Sequence, residues 1–152
     1  MIDQRVILLV EDDEHDQELT LRALERSNIR NPVVIAENGI AALDYLFGDG
    51  QARGPDGEPE LPALILLDLK LPKIDGLEVL RRVRADPRTQ LLPTVILTSS
   101  NEDKDRLAGY AGGANSYVRK PVEFGAFAEA VARLGLYWLL VNEPPPPERN
   151  PR

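Results

Sequence analysis

Four short stretches hold the residue types that could do chemistry. In "ILLVEDDEHD", residues 7 to 16, an apolar run ends at Val10 and passes straight into Glu11, Asp12 and Asp13. "LILLDLKLP" sets Asp68 directly after four apolar residues, "VILTSS" ends an apolar run on Thr98, and "SYVRKP" brings Lys120 just past another. Carboxylates gathered at one place repel one another, and each drifts toward protonation unless a cation sits among them. A hard divalent ion, Mg2+ or Mn2+, meets that need, because one or two carboxylates, a backbone carbonyl and several waters complete its coordination. For the first stretch alone a plainer explanation is equally good: acids at a helix start favour the macrodipole by roughly 0.3–1 kcal/mol each. Asp68 resists that explanation, since a carboxylate following an apolar run is partly buried and needs a partner. Lys120 and a metal are the candidates. Lys120 precedes Pro121, and an X-Pro bond can turn cis to bring a side chain back over a site. Singly, Lys120 would pass for a surface lysine and Thr98 for a β-branched strand residue; together the four strand ends do not look accidental.

The elements that must position these residues follow from hydropathy. β-branched apolar runs at residues 6–10, 33–36, 63–67, 94–97 and 116–118 alternate with segments of helical spacing at 14–27, 39–47 and 77–85. Runs such as "VILLV" and "LILLD" are apolar on both faces, as a parallel sheet covered on both sides requires. The expected fold is α/β and flavodoxin-like, a doubly wound five-stranded parallel sheet in the order 2-1-3-4-5 with helices on both faces. In such a sheet chemistry gathers at the carboxyl ends of the strands, which is where Glu11, Asp12, Asp68, Thr98 and Lys120 fall. With 152 residues the chain makes one domain, residues 1–141 with an extended last helix, followed by a Pro-rich tail at 142–152 that should be extended or disordered. Residues 48–62, rich in Gly and Pro, read as a surface insertion, with partner contact the alternative.

Composition narrows the chemistry. There is no cysteine, so thiolate and disulfide chemistry are excluded, and one histidine, His15, leaves little for a zinc site. His15 should face solvent from the first helix. A net charge of −7 argues against nucleic acid as partner. No signal peptide and no run of 18 apolar residues is visible, so the expected location is cytoplasmic, away from membranes. A nucleotide-binding module would want a glycine-rich loop where "EDDEHD" stands, and a serine hydrolase wants G-x-S-x-G. An aspartate-nucleophile phosphohydrolase of the haloacid dehalogenase kind wants a second Asp two residues after the first, where this chain has Lys70.

The last helix carries its own expectation. Phe124, Phe127, Val131, Leu134, Trp138 and Val141 step by three and four as a buried seam, while Leu136, Tyr137, Leu139 and Leu140 make its end apolar all round. Such a surface predicts a two-fold homodimer whose interface includes Leu136, Tyr137, Trp138, Leu139, Leu140 and Val141. The alternative is a hydrophobic cap folded back on its own sheet.

Over residues 5 to 134 the motifs "VEDD", "LLDLKLPKIDGLEVL", "VILTSS" and "YVRKP", in this order, resemble the receiver domain of two-component response regulators. The resemblance implies a signalling domain rather than a classical enzyme. Asp68 would take a phosphoryl group from a sensor histidine kinase, and the domain would lose it by autodephosphorylation. Asp12, Asp68 and the Lys70 backbone carbonyl would hold the metal, Glu11 acting mainly through water. Lys120 would help neutralise the phosphoryl oxygens, and its replacement by Met would leave magnesium affinity nearly intact. Thr98 would move toward the new oxygens and Tyr117 rotate into the vacated space, and Lys70 and Ser100 would tune hydrolysis. The remainder past about residue 135 fits no effector module, so the resemblance is to a stand-alone receiver signalling to an unknown downstream protein. The 48–62 loop and the "YWLLVNEPP" ending resemble the small regulators of bacterial phytochrome kinases, which suggests a bacteriophytochrome as the kinase. The remaining alternatives are the phosphohydrolase and a phosphorylation-independent scaffold.

Overall fold

Side chains alternate across a strand, so a run that is apolar at every position needs cover on both faces. The computed structural model, which describes residues 5–48, 60–100, 102–120 and 123–146, supplies that cover. Strands β1 (Ile7–Val10), β2 (Val33–Ala36), β3 (Leu64–Leu67), β4 (Thr94–Thr98) and β5 (Ser116–Arg119) form one parallel sheet in the order β2-β1-β3-β4-β5. Every residue of β1, β3 and β4 is buried. Leu8, Val10, Ile65, Leu67 and Ile96 point to one face, where helices α2 (Gly39–Phe47) and α3 (Gly76–Ala85) bring Leu43, Leu46, Val79, Leu80 and Val83. Ile7, Leu9, Leu64, Leu66, Val95 and Leu97 point to the other, beneath α1 (Glu14–Arg26) and α5 (Phe124–Leu136). Strand order and layering are those expected, with strand ends displaced by one residue at most.

One helix escaped the sequence reading. Helix α4 (Asp103–Ala111) buries Asp105 and Gly109 and leaves Leu107 and Tyr110 exposed. A helix whose inward positions are an acid and a glycine shows no apolar stripe.

The last helix departs from its expected seam. Its buried residues are Phe127, Val131 and Gly135, and a following π-helical turn, Tyr137–Val141, buries Leu139. Leu134 and Trp138 only pack at the margin of the core, and Val141 is 66% exposed. Gly135 explains the rotation: a Cβ there would stand 2.1 Å from Ile29 Cδ1, so the missing side chain lets α5 settle onto the segment after α1. Leu139, 5% exposed, is a core residue and is withdrawn from the expected dimer surface, whereas Leu136, Tyr137, Leu140 and Val141 remain exposed. By length and composition the run Phe124–Val141 could cross a membrane, with mean hydropathy 1.4. Its buried side is committed to the sheet, and Glu129 pairs with Arg133 midway along it.

Of the 48–62 segment, residues 49–59 lie outside the described residues, while Leu61 packs on the α2–α3 side of the core. The chain leaves the π-helical turn extended at Asn142 and is exposed from 143 to 146; residues 147–152 lie outside the described set.

A second glycine positions the site itself. Gly76 starts α3 against the end of β3, where an added Cβ would come within 2.2 Å of the Asp68 carbonyl oxygen and 2.7 Å of Leu69 Cα. Both are backbone atoms and cannot swing aside. Gly76→Ala is therefore expected to destabilise the fold by about 1–3 kcal/mol, as overpacking does, read as a lower urea midpoint. An unchanged midpoint would show that this turn yields freely.

Candidate functional site

Asp68 leaves the end of β3 with its backbone N–H donating to the Val10 carbonyl at 3.0 Å, which locks it beside β1. Its side chain is buried and fully engaged. Oδ1 accepts from Thr98 Oγ1 at 2.8 Å and from the Lys70 backbone N–H at 3.2 Å, and Oδ2 accepts from Lys120 Nζ at 3.0 Å. Lys120 follows β5, and its own N–H donates to the Thr98 carbonyl at 2.7 Å. Its ammonium also donates to Asp16 Oδ2 at 2.9 Å and, in a short contact, to Glu11 Oε1. Neighbouring Pro121 lies outside the described residues.

The acidic string after β1 divides into separate tasks. Glu11 turns inward and is 3% exposed, fixed by its N–H to the Ala36 carbonyl and by Gln17 Nε2 donating to its own carbonyl at 2.7 Å. Asp12 faces solvent at the mouth of the sheet. Asp13 caps α1, accepting from the Asp16 N–H at 3.0 Å. Helix capping and charge clustering, which compete as explanations of the sequence, therefore apply to different residues.

Glu11, Asp12 and Asp68 bring carboxylate oxygens within 4.8 Å of one another. Three hard oxygen donors, one of them open to water, fit a divalent cation such as Mg2+ or Mn2+ and offer nothing to a soft metal. Burial pushes the Glu11 carboxyl up, the Lys120 ammonium pulls it back and the Asp68 charge adds to the rise, leaving it at about 7. Burial opposes the Lys120 charge too, but the bond to Glu11 and the Asp68 charge outweigh it, and its pKa ends above the ordinary lysine value.

A pH dependence follows. Without metal, the folded protein holds a proton on Glu11 up to pH about 7, whereas the unfolded chain releases it near 4.5. The folded state thus binds more protons between those values, and stability contributed by this group falls as pH rises through that window. A cation entering the cluster expels the proton, so Mn2+ affinity should weaken as pH drops below 7. Calorimetric titration on either side of pH 7, in buffers of different ionisation enthalpy, reads both affinity and proton release; a pH-independent affinity would count against it.

Thr98 is fully buried and Tyr117 half-buried, the latter donating its hydroxyl to the Ser100 carbonyl at 3.1 Å. Before any modification, then, Thr98 already touches Asp68 and Tyr117 already reaches over the β4–α4 connection. The approach expected of Thr98 would therefore need only an exchange of acceptor. Lys70 directs its ammonium to Asp105, 3.3 Å away, and Ser100 Oγ donates to the same carboxylate at 2.5 Å. Lys70 occupies the position, two residues after Asp68, where a haloacid dehalogenase-type phosphohydrolase needs its second aspartate. His15 is exposed, as expected.

Two participants were missed in the sequence: Asp16, the third acceptor of Lys120, and Asp105. Asp16 stands in the acidic first turn of α1, where the helix dipole accounts for it without reference to Lys120. Asp105 looks like any acid in a first helical turn.

The chain matches the response regulator receiver domain family over residues 7–132. It is 39% identical over 146 residues to the probable methanogenesis regulatory protein FilR2 of Methanothrix harundinacea, covering 95% of this chain and 90% of that one. It is 36% identical to the response regulator Rcp1 of Synechocystis sp. over 135 residues, covering 89% of each. The crystal structure of the Mn(2+)-bound form of Rcp1 superposes with a TM-score of 0.80 over 92% of this chain and 98% of that one. The bacteriophytochrome response regulator RtBRR is 52% identical with a TM-score of 0.72, covering 96% of this chain and 86% of that one.

Proposed function

Because the chain belongs to the response regulator receiver family, we propose that it accepts one phosphoryl group on Asp68 from the phosphohistidine of a sensor histidine kinase and signals the change through protein contacts. One observation carries this reading: the Asp68 carboxylate is held between the Lys120 ammonium, the Thr98 hydroxyl and the Glu11–Asp12 acids at the mouth of the sheet. A carboxylate oxygen of Asp68 attacks phosphorus, the P–N bond to histidine breaks, and the leaving imidazole takes up a proton from solvent. Asp12, Asp68 and the Lys70 backbone carbonyl would hold the cation, with Glu11 acting through water and through Lys120. When bound, the cation neutralises charge on the phosphoryl oxygens. The Lys120 ammonium, held at Asp68, would add to that neutralisation, and Thr98 would transfer its hydrogen bond from Asp68 to a phosphoryl oxygen. Tyr117, tied to the Ser100 carbonyl, follows the β4–α4 connection and makes α4 the moving element. Loss of the group by hydrolysis at Asp68 resets the switch.

The names of RtBRR and its like support a bacteriophytochrome as the kinase, in the cytoplasm. A two-fold homodimer through the exposed Leu136, Tyr137, Leu140 and Val141, with Trp138 at its margin, fits the apolar end of the last helix. Truncation would remove the core residue Leu139, so the dimer is better tested by Leu136→Glu with Leu140→Glu. Sedimentation should show monomers; a persisting dimer moves the interface elsewhere.

For the function, acetyl phosphate with Mg2+ should add one hydroxylamine-labile phosphoryl group, and a bacteriophytochrome kinase should transfer its phosphoryl faster than unrelated histidine kinases. Absence of labelling from either donor overturns the reading.

A further inference from the structure

We propose that Asp105 is a positioning residue for the reaction at Asp68: it holds the Lys70 ammonium away from the aspartyl phosphate and so leaves that group open to water. The proposal rests on the phosphorylation of Asp68 proposed above. Asp105 stands in the first turn of α4, its side chain 10% exposed, and binds two groups from two different loops at the rim of the site. Ser100 Oγ, two residues beyond Thr98, donates to Oδ2 at 2.5 Å, and Lys70 Nζ, two residues beyond Asp68, lies 3.3 Å from the same oxygen. Ser100 is itself bound to the site through its N–H, 3.4 Å from Thr98 Oγ1. Within α4 the other buried residue is Gly109, so this carboxylate is the main polar tie between the helix and the loops around Asp68.

The Lys70 ammonium has two possible anions. Its backbone N–H already touches Asp68 Oδ1 at 3.2 Å, so its base is at the reacting carboxylate, and its flexible four-carbon stem can reach phosphoryl oxygens placed there. An ammonium on those oxygens would cover the face from which water attacks. Hydrolysis needs that face clear: the water oxygen bonds to phosphorus as the P–O bond to Asp68 breaks, Asp68 returns as a carboxylate, inorganic phosphate leaves, and the proton of water passes to phosphate or solvent. The lysine end of the Lys70–Asp105 pair is 64% exposed, and such pairs are weak by themselves. Here, however, the acceptor is buried and also held by Ser100, so its position is set before the lysine arrives. The balance between the two anions then governs how long the phosphorylated state lasts.

Asp105→Asn keeps the shape and the Ser100 hydrogen bond but removes the charge. The phosphorylated protein, prepared with acetyl phosphate and freed of it, should lose its label about fivefold more slowly than wild type, the order expected for one partly exposed ion pair. In a Lys70→Met background the same substitution should change the lifetime by less than about twofold, because no ammonium remains to be released. Asp105→Glu, which keeps the charge, should restore most of the wild-type rate. A purely structural role would alter the lifetime alike in both backgrounds, and that result, or an unchanged or shortened lifetime in Asp105→Asn, overturns the proposal. Failure of wild-type protein to take label would instead remove the Asp68 reading and this role with it, so the two failures are distinct.

Discussion

Asp68→Asn should abolish labelling by acetyl phosphate while leaving the protein folded. An amide oxygen is no nucleophile toward phosphorus, and among the described residues no other carboxylate is gripped by a lysine, a buried threonine and a backbone N–H at once. The variant keeps a side-chain oxygen for Thr98, and Lys120 keeps Glu11 and Asp16, so thermal melting should stay close to wild type. Loss of one oxygen donor from the acidic cluster should also weaken Mn2+ binding severalfold. Phosphoryl incorporation followed by mass spectrometry separates these effects. Label retained in the variant would place the acceptor on another residue and undo the functional reading.

Lys120→Met should produce the largest loss of stability. The ammonium contacts Glu11, Asp16 and Asp68 together, and both it and the first and last of these are buried. Removing it strands two buried carboxylates and a third at their edge. Breaking a buried ion pair from one side typically costs about 3–5 kcal/mol. The sequence suggested that magnesium affinity would be nearly unaffected, but the geometry alters that expectation: Lys120 shares Glu11 and Asp68 with the cluster that would receive the cation. Without the lysine, a cation would be the sole charge compensating these carboxylates among the described residues. Metal-free Lys120→Met should therefore melt well below wild type, and saturating Mn2+ should recover a larger increment than it confers on wild type. Phosphorylation, where it still occurs, should shift the β4–α4 connection less, since one of the groups that gather the phosphoryl oxygens is gone. Equal melting temperatures in the absence of metal would contradict the central compensating role given to Lys120.

Much of this was legible in the chain before any coordinates. The apolar runs name the strands because a doubly covered sheet demands them, and the topology of such sheets puts Glu11, Asp68, Thr98 and Lys120 at one edge. Family membership follows from those motifs. What escaped the sequence did so for identifiable reasons. The seam of α5 passes through Gly135, a residue with no side chain to register in a hydropathy pattern, so Leu139 was assigned to a surface when it belongs to the core. Helix α4 turns an acid inward, and Asp105 draws its meaning from Lys70, on another loop.

By itself the sequence determined what repeats locally: the five strands, the helices that carry an apolar stripe, and that charge collects where the strands stop. Patterns of two and of three to four residues are printed along the chain, and they need no partner to be read. Only the tertiary structure decided which charge meets which. Lys120 and Glu11 are 109 residues apart and Thr98 and Asp68 are 30 apart, and no spacing rule ties such pairs. Their contact depends on β1, β3, β4 and β5 lying side by side in that order, and on each side chain's direction as it leaves its strand. Those directions follow from close packing on both faces of the sheet, which is a property of the whole fold and of no segment within it.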